Sequence, residues 1–344
     1  MSMRNKNASE GATLSSVDRK RRFAELYAKY GMFVILIAMV VISSIMTPKF
    51  LTVSNLTNVI RLMSITAIVA FGMVFVLILG LIDLSVSSIM ALSGCFSAIV
   101  WAKTGSPFIA IFAGLMIGAV CGSVSGLVIV KTGIPAFIMT FAMQTIARGA
   151  VYLICGGKPV SGMGDSFKVL GQGNLSALLG VNIPVLGDIP NPIYIMAIMF
   201  VFTWTLLNKT KFGRYIYATG GNIQAAKASG VKTQSVTFRA FVLTGVLASI
   251  SGIILMSRMN SGQPQGALNY EFDAISACVV GGTSLAGGSG TLFGAFVGCF
   301  IIAVLNNMMN LNGVSTYWQM VVRGLIIVGA VIIDYRTKKL IQSK

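Results

Sequence analysis

Asp83 is a carboxylate set inside an apolar stretch, Gly80-Leu-Ile-Asp-Leu-Ser-Val-Ser-Ser88. A charge near hydrocarbon is costly, so it must face a cavity, a partner cation or a helix N-terminus. Two chemistries are open to Asp83. With Ser85 and the serines after it, it can N-cap a helix from Leu84 to Trp101. It can also stand in a translocation path or gate. As the only intramembrane carboxylate able to start a proton relay, it is the residue a proton- or sodium-driven transporter would need.

The other polar residues within apolar runs come at helical spacing. Thr140, Gln144 and Arg148 step by four and share one helical face; Asn306 and Asn310 repeat that spacing. Amides so placed serve either as interhelical hydrogen-bond glue or as a lining past which a hydroxyl-rich solute slides. Arg148 suits structure, since a fixed charge would hold a neutral solute less usefully than amides do. Glu271 and Asp273 precede the run 274–282, where Asp273 is a natural N-cap. The string Gly281-Gly-Thr-Ser-Leu-Ala-Gly-Gly-Ser-Gly290, which includes Gly282 and Ser284, resembles a phosphate-cradling loop only superficially. No Gly-Lys-Ser/Thr follows it and no strand precedes it. Its glycines suit close helix packing.

Enzymatic chemistry has few groups to work with. The chain has no histidine and nine carboxylates, which removes His-dependent triads and most zinc or iron sites. Its five cysteines, Cys95, Cys121, Cys155, Cys278 and Cys299, are scattered without CxxC spacing and read as small buried residues. No catalytic residue, metal site or cofactor is expected.

The elements that carry these residues follow from charge and hydropathy. Of 26 Lys and Arg, seven fall in residues 1–30, six in 208–239 and four in 335–344. Between them lie apolar blocks long enough to cross a bilayer as helices. Crossings are expected at 31–47, 63–82, 85–101, 107–130, 134–155, 191–208, 239–257, 272–286, 290–311 and 314–334. Clustered Lys and Arg mark segments left in the cytoplasm. Six crossings before the 208–239 loop and four after it keep the loop and both termini inside. The resulting division is a basic tail at 1–30, with a surface helix at 17–30, a membrane domain at 31–335 and a tail at 336–344. The stretch 158–190 reads as an external loop with a short helix. The net charge of +17 sits at membrane boundaries, with no basic helix interleaved with aromatics, which argues for lipid and against nucleic acid. The interruptions at 80–88 and 281–290, one in each half, are the pattern of a path built from discontinuous helices.

Within the basic loop, Gly220-Gly-Asn-Ile-Gln-Ala-Ala-Lys-Ala-Ser-Gly230 predicts a short helix, capped by Asn222 and closed by Gly230. Gly220, Gly221, Ala225, Ala226 and Ser229 would give it a face of small residues that another protein's groove can approach. A connector needs no capped helix, so docking is the expected role.

The chain resembles the permease subunits of bacterial ATP-binding-cassette importers for simple sugars, the ribose/xylose/galactose group. Three motifs carry the resemblance. Gly80–Ser88 is similar to the group's Gly-Gly-Ile-Asp-Leu-Ser-Val-Gly signature, departing from it at Leu81 and Ser87. The second is the Gly-Gly-Asn-x-x-Ala-Ala-x-x-Ser-Gly loop at 220–230. The third runs from Tyr270-Glu-Phe-Asp-Ala-Ile through the 281–290 glycines to Asn306-Asn and Tyr317-Trp-Gln319. The resemblance implies an all-α fold of about ten helices in the bacterial inner membrane, paired as a dimer. It also implies a 220–230 coupling helix seated in a cytoplasmic ATP-binding subunit, and a periplasmic sugar-binding protein docked outside. Asp83, Ser85, Gln144, Gly281, Gly282, Ser284, Asn306 and Asn310 are then the candidates for the path or gate.

Overall fold

The computed structural model describes residues 31–176 and 187–342. The basic tail, with the helix expected at 17–30, lies outside the described residues, as does part of the 158–190 loop. Among the described residues the chain is helical throughout, with only two isolated bridge pairs, Val160–Gly262 and Asn174–Pro190.

The ten expected crossings correspond to ten helices: α1 (Gly31–Met46), α2 (Val53–Ile78), α3 (Val86–Thr104), α4 (Pro107–Thr132), α5 (Ala136–Cys155), α7 (Asn191–Lys209), α10 (Thr233–Met259), α11 (Tyr270–Val280), α12 (Leu292–Leu311) and α13 (Thr316–Gln342). Seven of them, α2, α3, α4, α5, α7, α10 and α12, are long and apolar enough to cross a membrane. Among the described residues, three shorter helices lie outside this set. α6 (Asp165–Gly171) falls in the expected external loop; α8 (Lys211–Gly221) and α9 (Ile223–Ala228) fill the basic loop.

Several boundaries move. α2 starts at Val53, where Thr52 accepts the Asn55 N–H, and ends at Ile78 rather than 82. α10 starts at Thr233 rather than 239. The stretch assigned to a tail from 336 is helical to Gln342. The largest correction is the expected crossing at 272–286. α11 stops at Val280 and, at 1.5 Å per residue, rises only about 16 Å, roughly half the hydrocarbon thickness. Residues 281–291 run on without helix, with Gly282, Gly287, Gly288 and Gly290 at positive φ. These glycines adopt backbone conformations that side chains resist, so a helix cannot continue through them.

α2 and α10 form the centre. Nearly every residue of α2 from Met63 to Ile78 is buried, and α10 is buried along most of its length. α3 and α4 pack on α10; α7, α11 and α12 pack on α2; α5 covers α3, and α13 covers α11. The α4–α10 seam is set by small residues. Gly114, Gly118, Gly122 and Gly126 recur every four positions on α4, and a Cβ at Gly118 would collide with Gly245 O and Ser249 Oγ of α10. With no hydrophobic drive between helices in lipid, such close approach supplies the packing. Aromatic edges join α2, α7 and α12 through Phe71–Phe200 (5.5 Å) and Phe200–Phe296 (5.7 Å). The outer faces of α4, α5 and α13 expose Phe108, Phe112, Leu153, Trp318 and Leu325, as faces turned to lipid or to another subunit do.

Candidate functional site

The two interruptions meet. α2 unwinds after Ile78, and residues 79–85 are non-helical until α3 begins at Val86. Gly288 of the second interruption donates its N–H to Ile78 O at 2.8 Å. The C-terminal end of α8 closes the same corner. A Cβ at Gly220 would overlap Ile78 O and lie 3.0 Å from Gly288 N, so only glycine allows three backbones to converge there. Tyr217 of α8 donates its hydroxyl to Gly290 O at 2.8 Å, and Phe212 stacks on Phe75 of α2 with centroids 6.0 Å apart. Burial raises the Tyr217 phenol above its ordinary value. The segment ahead of the expected coupling helix is therefore built onto both interruptions at once.

Beyond this junction the chain turns at Asn222, whose side-chain oxygen accepts the N–H groups of Gln224 (3.0 Å) and Ala225 (2.9 Å). α9 follows, and Gly230 takes φ +79° after it, which is the cap and stop that the sequence predicts. One part of that expectation is corrected. Ala226 is turned inward and buried, so the exposed face is Ile223, Gln224, Ala225 and Lys227, with Gly221, Ser229 and Gly230 at its edges.

Asp83 is buried, with 1% of its surface exposed. Its Oδ1 accepts both the N–H of Ser85 (2.9 Å) and the Ser85 hydroxyl (2.5 Å). Helix α3 starts at Val86, not Leu84, and Ser85 occupies the cap position. Asp83 thus fastens the turn before the helix; it does not cap it directly.

The Thr140–Gln144–Arg148 face of α5 is a seam. Thr140 donates to Ile82 O (3.2 Å), Gln144 Nε2 to Glu271 Oε1 (2.9 Å), and Arg148 to the carbonyls of Pro264 (2.8 Å) and Gly266 (3.0 Å). The structural role read for Arg148 is observed, and Gln144 is engaged with a carboxylate at the start of α11. Asp273 is not the N-cap of α11, because Asn269, at φ +70°, holds that position. Asp273 sits one turn in, its Oδ1 3.3 Å from Arg323 Nε of α13.

Asn306 and Asn310 line a cavity of about 200 Å³ between α2, α11, α12 and α13, together with Thr66, Tyr270, Asp273 and Arg323. Asn310 accepts from Gln319 Nε2 at 2.9 Å. Beside them Asn307 and Asn55 form a reciprocal amide pair at 2.8 and 3.0 Å. The remaining path candidates lie elsewhere. Gly281 lets α11 approach Gly294 of α12, Gly282 makes a turn, and Ser284 Oγ accepts the Ala286 N–H within the second interruption. Sequence reading missed Arg323 and Asn55, whose partners lie far away along the chain.

The chain matches the family described as branched-chain amino acid transport system / permease component over residues 55–331. It is 38% identical over 324 residues to a ribose import permease protein of Escherichia coli K12, covering 94% of this chain and 98% of that protein. It is 41% identical over 323 residues to the ribose import permease protein of Bacillus subtilis 168, covering 93% and 97%. An L-arabinose transport system permease protein of Escherichia coli K12 is 40% identical over 317 residues, covering 92% and 93%. No solved structure matches the chain significantly.

Proposed function

The chain belongs to the family of transport-system permease components, and from that premise we propose that it imports a simple sugar, driven by a separate ATP-binding subunit. The junction of α8 with both interruptions carries the reading. A segment rich in Lys and Arg faces the cytoplasm by the charge rule, and its exposed, capped helix α9 offers a docking surface there. Motion of α9 reaches the two interruptions through α8, because Tyr217 and Gly220 touch their backbones. Interrupted helices around a membrane path are suited to alternating access, and states only a few kcal/mol apart suffice for nucleotide and solute to switch them.

The partners follow from the same reading: a cytoplasmic ATPase on α9, a periplasmic sugar-binding protein on the opposite face, and a second permease subunit, identical or closely related. The site is the inner membrane, with both termini cytoplasmic. A sugar cargo is supported by the relatives' named substrates and by a cavity lined with amides and a balanced ion pair. A proton-driven carrier finds little support, since Asp83 is occupied by Ser85.

Proteoliposome uptake of D-ribose, L-arabinose and D-xylose tests the proposal. Uptake is expected only when the ATPase subunit, the sugar-binding protein and ATP are all supplied. Accumulation by the chain alone on a proton or sodium gradient would overturn it.

A further inference from the structure

We propose that the cavity between α2, α11, α12 and α13 is a transit site for a neutral polyhydroxylated solute, recognised by the paired Asp273 carboxylate and Arg323 guanidinium. This rests on the importer reading and extends it to a solute-recognising role for Asp273 and Arg323 that neither the sequence motifs nor the relatives' names assign.

Three observations support the site. The first is room: about 200 Å³ corresponds to roughly seven waters at their liquid volume. The second is unspent hydrogen-bonding capacity at buried groups. Asp273 is 7% exposed, and Arg323 Nε lies 3.3 Å from its Oδ1 but without a hydrogen bond. The Arg323 Nη2 contact with Asn306 Oδ1 is long, at 3.5 Å. A guanidinium has five donors, and these contacts satisfy them poorly. The third is charge balance. The pair sums to zero, so an ionic solute would leave one member facing an unmatched charge, which burial penalises.

The chemistry that fits is a sugar with adjacent hydroxyls. One hydroxyl donates to the carboxylate while its neighbour accepts from the guanidinium, and charge-assisted bonds of this kind are the stronger class. The Asn306 amide, four residues from the already engaged Asn310, is within reach of a third hydroxyl. A branched aliphatic side chain would instead cover these groups and leave them unsatisfied. Asp273 and Arg323 also attract each other, so the solute competes with an internal partner and is held weakly. Weak holding suits a site that must release its cargo inward.

The test uses the complete importer. The double variant Asp273→Asn/Arg323→Gln keeps the shape at 273, keeps a polar side chain at 323 and leaves no lone buried charge. It is expected to co-purify with the ATPase subunit and to cut ATP-driven pentose uptake about tenfold or more, the loss due to missing charge-assisted hydrogen bonds. Uptake equal to wild type would overturn the site while leaving the importer reading intact; failure of the wild type to transport any of the three pentoses would overturn both. A second measurement does not depend on those substitutions. Leu62→Cys, on the apolar wall of the cavity, is reacted with a membrane-impermeant maleimide added outside. The unaltered chain, with Cys155 half-buried and its other cysteines buried, gives the background. D-ribose at high concentration is expected to slow labelling several-fold, and L-leucine is not. Equal protection by leucine, or none by ribose, would overturn the proposal even if the double variant misfolds.

Discussion

Gly220→Val is expected to reduce ATP-driven uptake by about 5- to 150-fold while the ATPase subunit still co-purifies, because about 1–3 kcal/mol of overpacking then falls on the junction itself. A Cβ at this position has nowhere to go. Ile78 O occupies the space, and Gly288 N is 3.0 Å away. The clash can be relieved only by moving α8 away from one or both interruptions, which biases the balance between the two access states. Gly221→Ala is the matched control, since nothing on this chain lies within 4 Å of its added Cβ. Any loss of coupling in Gly221→Ala therefore reports on the docked neighbour, whereas the loss in Gly220→Val reports on the permease interior. Uptake and ATP hydrolysis measured together on both variants separate the two.

Gly118→Leu is expected to prevent folding, with a destabilisation of about 3 kcal/mol or more. Its side chain would enter the space held by Ser249 Oγ and Gly245 O of α10, and Gly245 in turn leans on Gly118 O. Because α10 is central, separating α4 from it also loosens α3. Size-exclusion chromatography of the detergent-solubilised chain should show aggregate for Gly118→Leu. Val120→Leu, two residues along on an exposed position of the same helix, should run as wild type.

Much of this architecture can be read from the linear chain, for physical reasons. Hydropathy marks the helices because lipid leaves backbone groups no other partner, and each of the ten apolar runs has become a helix. Asn222 and Gly230 announce α9 because caps and stops are local. Local logic fails where the partner is distant. Asp273 looks like an N-cap until α13 brings Arg323 to it, and Asn55 has no visible purpose until Asn307 faces it. The end of α11 is hidden in the sequence because the alanine, valine and glycine after Ser276 are apolar whether helical or not. The glycine period of α4 was a signal in plain view, since four glycines at spacing four announce a close helix contact. Gly220 could be recognised as part of a loop motif, but its reason, two other backbones within contact, exists only in three dimensions.

The candidate site divides in the same way. The asparagines at 306 and 310 share a face by spacing alone, and they do line a cavity. Gln144 shares a face with Thr140 and Arg148 for a different purpose, to fasten α5 onto Ile82, Glu271 and the chain ahead of α11. Periodicity identifies a common face but not what lies opposite it.

Site-specific cross-linking from Ile223→Cys tests the central claim most directly. Ile223 is 47% exposed on α9, so a short bifunctional thiol reagent can reach whatever docks there. The account predicts a cross-link to the ATP-binding subunit whose yield changes with nucleotide, and no labelling by impermeant reagents added outside the cell. Labelling from outside, or a position that touches no nucleotide-hydrolysing neighbour in the assembled importer, would contradict it.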